Sequence, residues 1–508
     1  MATSPITPPQ RPPLLERSEQ LAILAGRIDR LAKAREGSLV LLRGEAGAGK
    51  TALVQWFCDQ HCPPARALWG GCDPLFAPRA LGPFADIARV TGGDLEELVE
   101  CGGRSHEVLD ALATEVATRT PTLVLLEDLH WADEATLDVL RLLGRRIDGV
   151  RALVIATYRD DELGPSHPLR VVVGELARAP GTTTIDLAPL SPGGVAQLAD
   201  PYGIDADELH RTTGGNPFFV VEALTAQTGQ IPGTVRDAVL ARVAGVSARG
   251  RELLEVLTIV RPGAELPELE AIAGAAIEAL DECLASGAVI PAGQGVAFRH
   301  ELERLVIEES LPPHRQPALH ARALQAMIAA GEATDLARLA HHADAAGDAQ
   351  AVLRFAPQAA EHASASGAHR ESAAQYARAL GYAERLEPER RAELLERCAH
   401  EYMVTDQTDE AIETLEAAIG LHRELGDARA EGRALEQLSN VLWCPGRVAE
   451  ARDAALQSVA LLELGTPGRE LAMAYSRLAQ LCMDSEDADG AAAWGARALE
   501  LAETMGET

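Results

Sequence analysis

One octapeptide limits what this chain can fold into. Gly44-Glu45-Ala46-Gly47-Ala48-Gly49-Lys50-Thr51 has the spacing G-x-x-x-x-G-K-S/T of a phosphate-binding P-loop. Such a loop needs a buried strand to deliver it and a helix to leave it, because the free amides at the helix N-terminus must face the anion. Both flanks fit. Ser38-Leu39-Val40-Leu41-Leu42-Arg43 is a short apolar run that reads as a buried strand, and Thr51 to Phe57 continues as a helix. The glycines Gly44, Gly47 and Gly49 let the backbone wrap a phosphate. Of the 46 basic residues only two are lysines, and one of them is Lys50. The chain uses Arg almost everywhere else, but a P-loop needs a compact ammonium between the β- and γ-phosphates.

A chain of 508 residues is expected to hold several domains. Aromatics make up only 4% against 47% apolar residues, so cores must be built from Leu, Val and Ala, which favours helices and parallel strands. The formal net charge of −30 repels phosphate backbones and argues against general nucleic-acid binding; it suits a soluble cytoplasmic protein. The eight cysteines are scattered without a C-x-x-C pair. Cys58, His61 and Cys62 lack a second pair at zinc-site spacing, so free thiols in a reducing compartment are expected. No apolar run reaches the roughly 18 residues of a membrane span. The Pro-rich segment 1–13 lacks the apolar region of a signal peptide and reads as a disordered lead-in.

A second apolar run, Leu123 to Leu126, ends in Glu127-Asp128, about 75 residues after the P-loop. A strand that carries two acids to its C-terminal end meets the P-loop across a parallel sheet. One acid is expected to hold Mg²⁺ through its water shell and the other to orient or activate the attacking water. Asp133 is placed to cap the next helix. His130 and Trp131 read equally as packing or as nucleotide sensing. A third run, Ala152 to Thr157, leads to Tyr158-Arg159-Asp160-Asp161. Arg159 then stands at the same sheet edge, free to contact a γ-phosphate or to pair with Asp160 or Asp161. Thr183 to Leu187 reads as a fifth strand.

At these residues the chain resembles a known family. Leu126-Glu127-Asp128-Leu129-His130-Trp131-Ala132-Asp133, Ala156-Thr157-Tyr158-Arg159 and Thr213-Gly214-Gly215-Asn216-Pro217-Phe218-Phe219 look like the STAND signal-transducing P-loop ATPases. Within them the match is to the large ATP-binding LuxR-type regulators, and Trp69 to Leu75 is similar as well. The resemblance spans about 14–320 and continues more loosely. It implies ATP/ADP and Mg²⁺ as cofactors, with Lys50 on phosphate, Thr51 on Mg²⁺, and Glu127 and Asp128 as the Walker B acids. The first acid is Glu rather than the more usual Asp, which leaves open the one that holds the metal.

The expected fold is an α/β P-loop NTPase core with a parallel sheet at 14–190, a helical lid at 191–235 and a winged-helix domain at 236–315. An all-α tetratricopeptide-like solenoid follows at 330–508. In the lid, Gly214 to Pro217 reads as a turn between two helices, and the resemblance nominates Pro217 near the adenine. At 236–315 the pattern is helix, helix and hairpin, with Gly287 ending the helix Ile277–Ala285 and a turn at 292–295. The 13 acids and seven arginines of residues 236–310 argue against a DNA grip. Arg299-His300-Glu301-Leu302 resembles the family's ADP-contacting step at His300; a buried structural histidine is the competing reading. In the repeats, Ala379-Leu380, Ala418-Ile419, Ser458-Val459 and Ala498-Leu499 recur at steps of 39, 40 and 40 residues.

The expected function is an ATP-dependent switch, the sensor portion of a LuxR-type transcriptional regulator, with an inducer or protein partner on the repeats and self-oligomerisation when active. Those regulators end in a basic helix-turn-helix, and this sequence reaches Glu507-Thr508 after a repeat without one. DNA contact through such an effector is therefore implied by the resemblance alone. A free-standing ATPase or kinase-like enzyme and a repeat scaffold with an inactive ATPase remain the alternatives.

Overall fold

The computed structural model describes residues 14–506 apart from 63, 74–77, 118–120, 226–234, 261–263, 293–294, 300 and 332–334. The chain divides into two compact units, with the boundary between Ala333 and Thr334.

The first unit is organised around a five-stranded parallel sheet: β1 Ser38–Arg43, β2 Arg66–Gly71, β3 Thr122–Glu127, β4 Ala152–Tyr158 and β5 Thr182–Asp186. The order is β2-β3-β4-β1-β5. Central β1 and β4 are buried nearly throughout, as their unbroken apolar runs require. Side chains alternate between two covered faces. Val40 and Leu42 pack with Leu123, Leu125, Leu153 and Ile155 beneath the helices Ser18–Ala34 and Lys50–His61. Leu39 faces the opposite layer, where it approaches Gly144 of the helix Glu134–Arg146. That helix starts on Asp133, whose Oδ1 accepts the Thr136 amide at 2.9 Å, as the sequence predicts.

Strand β2 has no counterpart among the expected strands. It is an edge strand, half-buried and glycine-ended, so its apolar signal is weak. Gly70 explains part of the Trp69-Gly70-Gly71 pattern. A Cβ at Gly70 would fall 2.1 Å from the Pro83 carbonyl oxygen, on the helix Gly82–Thr91 that crosses the strand.

After β5 come the helices Pro192–Ala199, Ala206–Thr213 and Pro217–Thr225, and the expected turn lies between the last two. The break falls at Gly214, left-handed at φ 62°. Then follow helices Val235–Gly245, Ala248–Ile259, Leu266–Ala273 and Leu280–Ser286, and an antiparallel sheet of β6 Ala264–Glu265, β7 Val289–Ala292 and β8 Gly295–Phe298 in the order β6-β8-β7. Gly287 closes the helix before it at φ 76°, and the preceding turn, 274–279, is a 3₁₀ segment rather than α-helix. Two-residue β6 is too short to be read from sequence. Residues 293–294 of the expected hairpin turn lie outside the described residues.

The second unit is helical throughout its described residues, from Leu336 to Met505. The 40-residue period maps onto equivalent helices His369–Leu380, Thr408–Leu425, Val448–Leu462 and Ala488–Met505. Its small residues sit where helices cross: Ala379, Ala418 and Ser458 are all fully buried. Ser458 Oγ donates to the Gly432 carbonyl at 2.6 Å, and a Cβ on Gly432 would lie 2.6 Å from Leu462 Cγ. Aspartates at 348, 427 and 487 cap the helices that follow them, each accepting an amide three residues on at 2.9–3.0 Å.

Gly70→Ala is expected to destabilise the first unit by about 1–3 kcal/mol, because the obstructing atom is backbone and cannot rotate away. Urea unfolding of the full chain checks this: the variant should show a transition displaced to lower urea, and an unchanged profile would contradict the packing.

Candidate functional site

The C-terminal edge of the sheet gathers the sequence-predicted residues. Arg43 of β1 is in register with Tyr158 of β4, and Leu126 of β3 with Ala156 of β4. The loops leaving β1, β3 and β4 therefore emerge side by side, with β4 between the other two.

The loop after β1 is shaped by two glycines in the left-handed region, Gly47 at φ 78° and Gly49 at φ 91°. Gly47 is also crowded: a Cβ there would lie 2.7 Å from Asn216 Oδ1. Every carbonyl from Gly44 to Ala48 has a donor. Lys50 Nζ donates to Gly44 O at 2.6 Å and Glu45 O at 3.0 Å. Asn216 Nδ2 donates to Ala46 O at 2.8 Å, and the Phe218 amide to Gly47 O at 3.3 Å. Arg17 Nη2 donates to Ala48 O at 3.3 Å and Ala188 O at 2.8 Å. The Ala48 amide closes a turn onto Glu45 O at 3.2 Å, and the helix Lys50–His61 starts with no side-chain cap. An uncapped helix N-terminus after a glycine-rich loop offers its amides to anions. Lys50 is buried, which lowers its pKa; the Asp128 carboxylate opposes the shift.

Glu127 ends β3. Burial, with Asp128 beside it, pushes its pKa up to about 7 against the Thr51 hydroxyl, which is hydrogen-bonded to it. Glu127 Oε1 is buried with no hydrogen-bond partner. An orphaned carboxylate oxygen beside a hydroxyl fits a hydrated divalent cation. Asp128 follows in the left-handed region at φ 55°, and its amide donates to Thr157 Oγ1 of β4 at 3.0 Å. Burial raises the Asp128 pKa, while Arg159 and Lys50 pull it down.

Arg159 leaves β4 and is buried. The ion pair considered with Asp160 or Asp161 is made instead with Glu162, Nη1 to Oε1 at 2.5 Å. Its guanidinium lies 5.1 Å from the centre of the Trp131 ring, and Trp131 packs on His130 at 4.4 Å. Burial, reinforced by Arg159 and Lys50, holds His130 down to about 3, so it is neutral. His167 Nε2 donates to the His130 carbonyl at 3.0 Å while Nδ1 accepts the Leu169 amide. His130 and Trp131 thus pack, and pack directly against the arginine.

Pro217 occupies the first turn of the helix Pro217–Thr225, where a missing N–H costs nothing. Its neighbour Asn216 is the residue that grips the P-loop. His300 lies outside the described residues. Asn216, Arg17 and Glu162 were not singled out from sequence. Asn216 sits inside the motif at 213–219, its only signal in the sequence; Arg17 and Glu162 have none.

The chain is similar to several known proteins. Residues 13–155 match the family model of the AAA ATPase domain. An uncharacterised protein of Rhizobium meliloti (strain 1021) is 24% identical over 409 residues, which cover 66% of this chain. The match spans 39% of that relative's length. Among solved structures, the chain is similar to a signal transduction ATPase with numerous domains (STAND) protein with a tetratricopeptide repeat sensor from Pyrococcus horikoshii. The two share 14% identity over 97% of this chain and 77% of that one, with a TM-score of 0.48. The chain is also similar to the ORC2 protein of Aeropyrum pernix, solved as ADPNP–ADP complexes, at 16% identity, 63% and 96% coverage and a TM-score of 0.33.

The elevated Glu127 pKa has a testable sign. Between its ordinary value of 4.5 and about 7, the folded protein keeps a proton that the unfolded chain has released. Stability contributed by this group therefore falls as pH rises through that window. Without divalent cations, Glu127→Gln should be more stable than the parent at pH 8 by roughly 1–3 kcal/mol, and equal to it near pH 4.5. Denaturant melts at the two pH values measure the difference.

Proposed function

We propose that the first unit is an ATP/ADP-dependent switch with slow hydrolysis, and that the helical repeats sense an inducer or a protein partner. The observation that carries this reading is a P-loop whose carbonyls from Gly44 to Ala48 all have donors, at one sheet edge with Lys50, Glu127, Asp128 and Arg159. The match of residues 13–155 to the AAA ATPase domain supports it.

In this reading Lys50 and the amides at the start of the helix Lys50–His61 hold the β- and γ-phosphates. Thr51 and Glu127, already in contact, hold Mg²⁺, which neutralises phosphate charge when bound. Asp128, one residue on and closer to Arg159 in its electrostatics, orients the attacking water. Arg159 contacts the γ-phosphate. Asn216 and Phe218 hold the loop's shape from the lid, so lid position and phosphate binding are coupled. The family resemblance assigns Pro217 to the adenine and His300 to contact with bound ADP. Antiparallel β6–β8 with the helices around them form a winged-helix module that packs internally. The finer reading is the sensor portion of a LuxR-type transcriptional regulator that self-oligomerises when active, reaching DNA through an effector beyond these residues. It is supported by the motifs at 126–133, 156–159 and 213–219.

Isothermal titration tests the reading. Lys50→Ala should lose ATP affinity by about 10–100-fold, since one charge-assisted contact contributes ~1.5–3 kcal/mol. Unchanged affinity in a folded variant would overturn the nucleotide site. Turnover by the parent protein should stay well below about 1 s⁻¹. A rate of tens per second would replace the switch by an ordinary enzyme.

A further inference from the structure

Glu162 sits three residues beyond the end of β4 with two partners in reach. One oxygen pairs with Arg159 at 2.5 Å, and the other lies 3.4 Å from His130 Nε2. Neither ring nitrogen of buried His130 has a hydrogen bond, and its Nδ1 is 3.9 Å from Asp128 Oδ1. Exposure is unequal along this chain of groups. The Arg159 side chain is 6% exposed and lies against Trp131, whereas Glu162 is 37% exposed.

We propose that Glu162 sets the preference of the site between nucleoside tri- and diphosphates, by competing with the terminal phosphate for Arg159. The inference rests on the nucleotide reading above. A bare P-loop would favour the triphosphate, because it offers one more anionic group to Lys50 and Arg159. Here Arg159 is already neutralised, and a γ-phosphate must displace a carboxylate to reach it. A diphosphate places nothing at that position and leaves the pair intact, so the cost falls on the triphosphate alone. The displaced carboxylate has a partner waiting in the His130 ring N–H, which explains a buried imidazole with unused nitrogens beside an ion pair. The His130 backbone is held by His167, so the ring stays in place during the exchange. Glu162 thereby acts as a specificity-determining residue that holds the resting site toward ADP.

The test is a double-mutant cycle read by calorimetry with ADP and the non-hydrolysable analogue AMP-PNP, each with Mg²⁺, on the full chain. Glu162→Gln should bind AMP-PNP about 3–10-fold more tightly, with ADP affinity changed less than twofold. Arg159→Ala should weaken AMP-PNP selectively, and adding Glu162→Gln to it should then change nothing, because the competed group is gone. A Glu162→Gln variant that gains equally for both nucleotides, or loses AMP-PNP affinity, overturns the proposal. So does a gain that persists without Arg159. If the parent binds neither nucleotide, the underlying nucleotide reading fails instead. Normal parent binding with an unchanged ratio in Glu162→Gln sinks this inference alone.

Discussion

The hydrogen-bonding needs of five consecutive carbonyls govern the architecture of the first unit. A loop that offers its amides to an anion must turn its carbonyls elsewhere, and buried carbonyls need donors. For Gly44 to Ala48 those donors come from three separate parts of the chain: Lys50 from the helix that follows, Arg17 from the segment before β1, and Asn216 with Phe218 from the helices after β5. The sheet supplies position, but the loop's shape belongs to its surroundings. Gly47 is glycine for two reasons, its left-handed backbone and the Asn216 side chain lying where a Cβ would be.

Electrostatics follow from the same enclosure. Lys50 is desolvated, Glu127 and Asp128 are pushed toward protonation by burial, and His130 is kept neutral. A lone ammonium between two carboxyls and an arginine leaves the cluster poised for anionic and cationic ligands together. Perturbed groups of both signs are thus gathered at this edge, the arrangement found where charge is to be stabilised.

Much of this was legible in the sequence, for reasons tied to local spacing. Ser38–Arg43 and the P-loop form a contiguous pattern, and Glu127-Asp128 ends an apolar run of strand length. The 40-residue step in the second half reports small residues such as Ala418 and Ser458 where helices must touch. Long-range partners were not legible. Nothing in the spacing of Arg17 or Asn216 says that each answers a carbonyl of the P-loop. Arg159 was placed at the correct edge, yet its partner is Glu162 because the chain turns after β4 and brings the third residue back. Edge strand β2 was hidden because half of it faces away from the core, and β6 because two residues carry no period.

The distance in sequence between the P-loop and its donors at 216–218 has a consequence for the chain's birth. Asn216 lies 170 residues beyond Ala46. At about 5–20 residues per second, ribosomes leave a P-loop without these partners for on the order of 10–30 s after it is made. During that interval its Ala46 and Gly47 carbonyls lack the donors that hold them in the folded unit. The loop's final shape therefore awaits residues 216–218 and is set only once the helices after β5 have been made.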